Sequence, residues 1–262
     1  MRWLIIFLAT LPSFLWANDT EVDVELVLAV DVSRSMSEEE LEIQRRGYAE
    51  ALRSADVLAA VQNGLIGRIA ITYVEWAGDY SQRVVVPWTL LQNAEDAERI
   101  AAAIAQTDNP AMQRTSISNA LLFAAQSFDN NGFSGLRRVI DVSGDGPNNQ
   151  GRPVLRARAA VLDQGITING LPLMTQDAMS ELWGIPDLDA YYENCVVGGP
   201  GAFVLPVLEW AEFAPAIKRK LILEIAGLPA RIVPAQYKPQ TDYDCLIGEK
   251  IWEKNRGYFA IP

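Results

Sequence analysis

The stretch VELVLAVDVSRSMSEEE, residues 24–40, changes character twice over a short distance. An apolar run ends at Asp31, two serines follow at alternate positions, and three glutamates come after Ser37. A short apolar run bounded by polar residues is typical of a buried strand, and Ser37 with Glu40 fits the capping box that begins a helix. The stretch therefore predicts a strand, a loop and a helix that starts near Ser37.

The same alternation of strand and helix continues along the chain. Apolar runs of strand character are GRIAITYVEWA, QRVVVPW, RRVIDVSGDG, ITINGLPL and GAFVLP. Segments with helical periodicity lie at residues 37–53, 93–106, 116–128, 152–165 and 209–227. Parallel strands need helical crossovers, so the alternation predicts an α/β fold with a largely parallel sheet covered by helices on both faces.

The composition argues against several classes of function. The net charge is −11 and no basic run is present, so the chain lacks the clustered Lys and Arg that bind nucleic acid or an anionic membrane surface. Histidine is absent, which excludes Ser-His and Cys-His catalytic pairs and removes the usual nitrogen ligand of zinc.

The first residues, MRWLIIFLATLPSFLWAND, have the pattern of a cleavable export signal. A positive charge at Arg2 precedes an apolar stretch, and a small residue, Ala17, stands before the polar Asn18. The stretch is interrupted by Pro12 and is shorter than the roughly 20 residues of a membrane-spanning helix, so an uncleaved anchor is the alternative. We expect a signal peptide at residues 1–17 and an exported product, periplasmic or secreted, without stable membrane insertion.

The two cysteines, Cys195 and Cys245, would lie in an oxidising compartment after export. A pair there is more often bridged than free, so we expect a disulfide, with two separately buried thiols as the alternative. Residues 228–262 contain several prolines and scattered aromatic residues. We expect this segment to be a C-terminal extension packed on the domain and fastened to it by the disulfide.

Oxygen-bearing side chains stand at three predicted strand or helix ends. Asp31, Ser33 and Ser35 follow the first strand, Thr115 precedes a helix, and Asp145 follows the strand in RRVIDVSGDG. Ligands of open α/β sheets bind at the carboxyl ends of the strands, where these residues are expected to lie. The carboxylates and hydroxyls together form an all-oxygen set suited to a hard divalent cation.

This combination resembles the von Willebrand factor A domain, whose metal-ion-dependent adhesion site consists of Asp-x-Ser-x-Ser, a loop Thr and a second Asp. DVSRS matches the first element, TSISNAL the second and VSGDGPNN the third, in order and in spacing. The likeness covers residues 22–226 and implies a domain at residues 18–227. The implied fold is a Rossmann-like, doubly wound, mostly parallel sheet with one short antiparallel edge strand. The amino-acid sequences of the strands also resemble those of a bacterial exported family of unknown function.

The resemblance implies a role for each matched residue. Ser33 and Ser35 would ligate a magnesium or manganese ion through their hydroxyls, and Thr115 would do so in the ligand-competent state. Asp31 and Asp145 would balance the charge, largely through bound water. One coordination position would then take a carboxylate from a partner protein, so the implied function is metal-dependent protein binding. Zinc is disfavoured because no His or Cys ligand is near.

Residues around this site are candidates for a rim that contacts the partner. The loop AGDYSQ follows the second strand and, if that strand is parallel to the first, rises beside the metal; Trp76, Tyr80 and Asn148 are therefore candidates. Arg34 and Arg114 stand where the resembled family commonly has Gly. They would attract an acidic ligand or form ion pairs with the acidic surface. The alternative for Trp76 is a place in the core.

Two other functions remain as alternatives. A metal-dependent phosphohydrolase of the aspartyl-phosphate type would carry a second Asp two residues after Asp31, where this chain has Ser33, and no nucleophile or general base stands out. A solute-binding protein would normally have two lobes, whereas this chain shows a single strand–helix series. We therefore expect a binding module rather than an enzyme.

Overall fold

The computed structural model describes residues 19–108, 110–175, 183–227 and 243–256. The predicted signal peptide at residues 1–17 lies outside the described residues, as do residues 228–242 and 257–262 of the predicted extension. No helix in the described part of the chain is both long and apolar enough to cross a membrane.

Within the described residues, five strands form one sheet in the order β3-β2-β1-β4-β5. The strands are β1 (Thr20–Asp31), β2 (Ile69–Trp76), β3 (Gln82–Leu91), β4 (Phe133–Gly144) and β5 (Thr167–Pro172). β1 pairs in parallel with β2 and β4, and β4 pairs in parallel with β5. β3 lies antiparallel to β2 at one edge. The predicted mostly parallel sheet with one antiparallel edge strand is confirmed, although β3 extends beyond QRVVVPW.

Helices connect the strands and cover the sheet. They are α1 (Glu38–Arg53), α2 (Ala55–Gln62), α3 (Ala94–Ala105), α4 (Ile117–Gln126), α5 (Val154–Leu162), α6 (Leu188–Tyr191), α7 (Phe213–Ala226) and α8 (Ile247–Asn255). The predicted capping box begins α1, because the N–H of Glu40 donates to Ser37 Oγ at 3.2 Å and the N–H of Ser37 donates to Glu40 Oε2 at 2.7 Å. Gly227 ends α7 with a φ of 71°, a left-handed value that favours glycine.

Two hydrophobic clusters form the core, one on each face of the sheet. Leu26 and Leu28 of β1 pack with residues of α1, α3 and α7, whereas Val27 and Ala29 pack with residues of α4 and α5. Side chains alternate between the two faces of a strand, so a central strand between two helical layers is apolar throughout. The apolar run before Asp31 has this origin.

The segment GAFVLP does not form the strand that its composition predicts. In the described structure it makes isolated bridges, Val204 with Gly170 and the following Val207 with Leu173. Pro206 stands between the two bridged residues and has no backbone N–H, so it interrupts any continuous hydrogen-bonded ladder. The segment therefore lies against the edge of β5 without extending the sheet.

The predicted disulfide is present between Cys195 and Cys245, with an S–S distance of 2.01 Å. Cys195 belongs to a π-helical turn, Tyr192–Val196, which continues directly from α6. Cys245 lies just before α8. The described part of the predicted extension, residues 243–256, is therefore joined covalently to the domain.

The structure contains a buried ion cluster between α7 and the sheet that was not predicted from the sequence. Lys220 of α7 is fully buried, and its Nζ lies 2.7 Å from Asp141 Oδ1 of β4. Lys220 also donates to Glu224, which accepts a second hydrogen bond from Asn169 Nδ2 at 3.0 Å. Burial acts to lower the pKa of Lys220, but the charges of Asp141 and Glu224 outweigh burial and raise it. The core thus holds one cation between two carboxyl groups.

Candidate metal centre

The first loop of the candidate site begins at Asp31, the last residue of β1. Asp31 is fully buried, and its Oδ1 accepts a hydrogen bond from the N–H of Ser33 at 2.7 Å. Gln44 of α1 donates to the carbonyl of Asp31 at 3.0 Å, and the N–H of Met36 donates to the carbonyl of Ser33 at 3.1 Å. These bonds fix the turn from strand to helix, so the side chains of the Asp-x-Ser-x-Ser motif have a defined direction.

The hydroxyls of the first loop lie close to the carboxylate of Asp145, which is in the third loop of the site, after β4. Ser33 Oγ lies 3.0 Å from Ser35 Oγ and 3.5 Å from Asp145 Oδ1. Asp145 directly follows β4, which is the strand next to β1 in the sheet. The carboxyl ends of these two parallel strands therefore bring Asp31, Ser33, Ser35 and Asp145 to one place.

The second loop, which carries Thr115, is hydrogen-bonded to the first loop and to the third. The N–H of Met112 donates to the carbonyl of Val32 at 2.8 Å. Asn149 makes two bonds with Thr115: its Oδ1 accepts from the N–H of Thr115 at 3.0 Å, and its own N–H donates to the carbonyl of Thr115 at 2.9 Å. Thr115 is only 6% exposed. The three predicted elements thus form one connected set of loops.

The electrostatics of the site favour a cation. Burial raises the pKa of Asp31, and the negative charge of Asp145 raises it further. The second oxygen of Asp31, Oδ2, is buried and receives no hydrogen bond within the described structure. Gly144 keeps this region open, because a Cβ there would lie 2.8 Å from both Asp31 Oδ2 and Tyr192 Oη. Buried carboxylate oxygen of this kind is normally paired or bound to a metal, so the residues present fit a divalent cation.

Hydroxyl groups outnumber carboxylates among the candidate ligands. Within the described residues, no group of three or more His, Cys, Asp or Glu side chains is placed to hold a metal. Ser33, Ser35 and Thr115 would therefore supply oxygen ligands beside the two carboxylates. Such a set suits a hard cation such as Mg²⁺ better than zinc, which prefers nitrogen and sulfur.

Two of the residues predicted for the rim are on the surface and near the first and second strands. Tyr80 is 97% exposed in the loop between β2 and β3. Arg34 is also exposed, between the two serines of the first loop. Arg114 is half-buried with a φ of 74°, and its guanidinium lies 3.1 Å from the centre of the Trp252 ring, so it takes part in a cation–π contact.

The other two residues predicted for the rim, Trp76 and Asn148, are fully buried, and this part of the prediction is wrong. Trp76 pairs with Asp31 across β1 and β2 and belongs to the core cluster on the α4 side. Asn148 uses its side chain inside the molecule: Oδ1 accepts from the N–H of Ser118 at 3.0 Å, and Nδ2 donates to Glu249 Oε1 at 2.8 Å. Trp76 therefore has the alternative place in the core, and Asn148 supports the loops from inside the molecule.

Asp79 is a supporting residue that the sequence analysis missed. It lies in the loop AGDYSQ beside Tyr80, and its Oδ1 accepts from Ser116 Oγ at 2.9 Å and from Asn119 Nδ2 at 3.2 Å. These bonds fasten the loop after β2 to the N-terminus of α4. The available signal was a carboxylate in a polar turn that follows a strand.

Solved structures share this fold at low sequence identity. Proximal thread matrix protein 1 of the mussel byssus has a TM-score of 0.58 and 17% identity over 79% of this chain and 49% of its own. A von Willebrand factor type A protein from Catenulispora acidiphila gives 0.55 and 15% over 78% and 43%. The pilus adhesin SpaC from Lactobacillus rhamnosus GG gives 0.57 and 13% over 79% and 31%. The chain thus has a von Willebrand factor A-like fold and spans half or less of each of these proteins.

Three further findings bear on the chain. A second structure of the mussel protein, with 16% identity over 79% of this chain and 49% of its own and a TM-score of 0.54, is described as having a zinc-occupied metal-ion-dependent adhesion motif. No curated protein matches this chain. Residues 21–229 match a family model described as "Protein of unknown function (DUF1194)".

Proposed function

The chain belongs to the family described as Protein of unknown function (DUF1194), and for this member we propose a metal-dependent protein-binding module. A Mg²⁺ ion, or Mn²⁺ in its place, is held by the loops that carry Asp31, Ser33, Ser35, Thr115 and Asp145. The bound ion supplies a positive centre that accepts a carboxylate oxygen from a partner protein.

The buried carboxylate of Asp31 is the observation that carries this proposal. Its Oδ2 is buried and receives no hydrogen bond from the described residues, while Ser33 and Asp145 bring further oxygen to the same place. Leaving a buried charge unpaired is costly, and a divalent cation would remove that cost. The zinc-occupied motif described for the mussel protein supports a divalent cation in this fold.

Binding is favoured over catalysis because the chain has no histidine to act as a general base, and the contacts of Ser33 and Thr115 are with other residues of the loops. Ser33 lies against Ser35 and Asp145, and Thr115 is held through its backbone by Asn149. An enzyme would need an activated nucleophile or general base aimed at the substrate. One protein that shares this fold is described as a pilus adhesin, which agrees with a binding role.

We also propose that the protein is exported, after loss of residues 1–17, to the periplasm or the medium. The disulfide between Cys195 and Cys245 supports this proposal, because such bonds persist in oxidising compartments. A partner in that compartment would be a protein with an accessible acidic group.

Immobilised protein is expected to retain its partner from an envelope extract of the source organism in the presence of Mg²⁺ and to release it when a chelator is added. Tyr80→Ala should weaken this retention about tenfold, because exposed aromatic residues beside a binding centre often dominate interface energy. The affinity for Mg²⁺ should not change in this variant.

Leu65→Ala is the matched control for Tyr80→Ala. Leu65 is 88% exposed and precedes β2, at the opposite end of that strand from Tyr80. Equal partner affinity in the two variants would place the contact face elsewhere. Retention that survives the chelator would contradict metal-dependent binding.

A further inference from the structure

Helix α8, the last helix of the described residues, packs directly on the third loop of the candidate metal centre, the loop that contains Asp145. A Cβ added at Gly248 would lie 2.1 Å from the carbonyl oxygen of Asn148, so only glycine allows this approach. One turn of helix therefore rests on the backbone of the loop that contains Asp145. Glu249, the next residue, accepts the hydrogen bond from Asn148 Nδ2 at 2.8 Å.

The same helix also contacts the second loop. The guanidinium of Arg114 lies 3.1 Å from the centre of the Trp252 ring, and Trp252 stacks on Trp183 at a centroid distance of 5.1 Å. Arg114 directly precedes Thr115 and has a φ of 74°, which is uncommon for a residue other than glycine. A conformation of this kind persists where surrounding contacts maintain it, and Trp252 supplies such a contact.

The disulfide links the segment just before α8 to residues that lie near the first and third loops. Cys195 lies close in sequence to Tyr191 and Tyr192. The hydroxyl of Tyr191 accepts from the N–H of Asn148 at 3.1 Å. The hydroxyl of Tyr192 lies near Asp31, since both would contact a Cβ at Gly144. Each cysteine of the disulfide therefore lies close in sequence to residues that are near the candidate metal centre.

We propose that α8 is a positioning element of the metal centre: Trp252 holds the Thr115 loop, and Gly248 with Glu249 holds the Asp145 loop, in the arrangement that binds the ion. This inference rests on the proposed function for its metal and extends it, because it adds to the site residues that are distant in sequence from the matched motifs. Residues that orient metal ligands in this way commonly change metal affinity about 10–100-fold when they are lost.

Mn²⁺ binding by the full-length oxidised protein tests the proposal. Trp252→Ala, Gly248→Ala and Glu249→Ala are each expected to lower Mn²⁺ affinity about tenfold. Trp252→Phe, which keeps an aromatic face for Arg114, should restore most of that loss. Gly248→Ala is informative because alanine favours a helix more than glycine does, so the lost affinity cannot come from a weaker helix.

Glu253→Ala is the matched control, because Glu253 is exposed on the same helix and its replacement removes the same charge as Glu249→Ala. Affinities are compared under conditions where every variant is fully folded. A contact that only stabilised the fold would leave the affinity of the folded protein unchanged. Equal Mn²⁺ affinity in the unmodified chain, Trp252→Ala and Gly248→Ala would overturn the proposal.

Amide hydrogen exchange of the metal-free protein separates this inference from the proposed function. The N–H groups of Thr115 and Asn149 should exchange about tenfold faster in Trp252→Ala than in Glu253→Ala, a factor that the loss of an ordinary cation–π contact supports. Amides of β1 should not change. Faster exchange without Mn²⁺ binding in any chain would support α8 as a positioning element and reject the proposed function. Unchanged exchange would reject the role of α8 whatever the metal does.

Discussion

Replacing Lys220 by methionine is expected to lower the free energy of unfolding by about 3–5 kcal/mol near pH 8, because removal of one partner leaves buried charge uncompensated. Lys220 is fully buried and lies between Asp141 and Glu224, whose side chains are buried as well. Methionine fills a similar volume, so the effect reports the charge rather than a cavity. Urea unfolding of both proteins measures it.

The cost of Lys220→Met should depend on pH in a defined direction. Burial, together with the charge of Asp141, raises the pKa of Glu224 to about 7, and burial also raises the pKa of Asp141. A carboxyl group with a raised pKa in the folded protein contributes stability that is present below its unfolded pKa and is lost as the pH rises through its folded pKa. The penalty should therefore be smaller at about pH 5 than at about pH 8.

Lys218→Met is the matched control on the same helix. Lys218 is 43% exposed, and its Nζ lies 3.0 Å from Asp56 Oδ2 in a solvent-exposed ion pair. Such a pair contributes about 0–1 kcal/mol. If Lys220→Met costs no more than Lys218→Met, the buried cluster does not need its cation and the interpretation is wrong.

Loss of the disulfide is expected to lower the free energy of unfolding by about 4 kcal/mol, the chain-entropy estimate for a loop of this length. Cys195 and Cys245 are 50 residues apart in sequence. Cys195→Ala/Cys245→Ala is preferred to serine, because Cys195 is fully buried and a hydroxyl there would lack a partner. The expected result is a lower urea midpoint than that of the oxidised chain.

Reduction of the unmodified protein provides the second arm of this comparison. Reduced protein and the double alanine variant should unfold at similar urea concentrations, since both lack the same covalent link. Equal midpoints for oxidised and reduced protein would show that the link adds no stability.

The clustering of the candidate metal ligands could be predicted from sequence, because their chemistry and their placement are both local. Asp31 ends β1, Ser33 and Ser35 come just after it, and Asp145 directly follows β4. Parallel strands end at the same side of a sheet, so an oxygen-bearing residue after each strand places the set together without knowledge of the rest of the fold. In the structure Ser33 Oγ lies 3.5 Å from Asp145 Oδ1, as this reasoning predicts.

The direction of individual side chains was less predictable. Trp76 and Tyr80 are both near the end of β2, yet one is fully buried and the other is 97% exposed. The position of a residue along its strand shows at which end of the sheet it lies. Its burial depends on the direction in which its side chain points. Asn148 is buried because α8 covers it, and that contact joins residues far apart in the chain.

Long-range contacts explain the other omissions. Lys220 and Glu224 have the spacing of an exposed ion pair on a helix, and only the position of Asp141 in β4 shows that they lie in the core. A charged residue inside the apolar run RVIDVSG was the available signal. Helix α8 was missed because its partners, Arg114 and Asn148, are more than a hundred residues earlier.

Calorimetric titration of Mg²⁺ into the metal-free protein tests whether these loops form a metal centre. A single ion per chain is expected to bind, with a loss of affinity of roughly a hundredfold in Asp31→Asn and in Asp145→Asn. Asp31→Asn should still fold without metal, because it removes a buried carboxylate whose Oδ2 receives no hydrogen bond in the described part of the chain. Asp129→Asn, at an exposed position, is the control for the change in charge and should bind as the unmodified chain does. Unmodified protein that binds no Mg²⁺, or Asp31→Asn that binds it equally well, would contradict a metal centre at these loops.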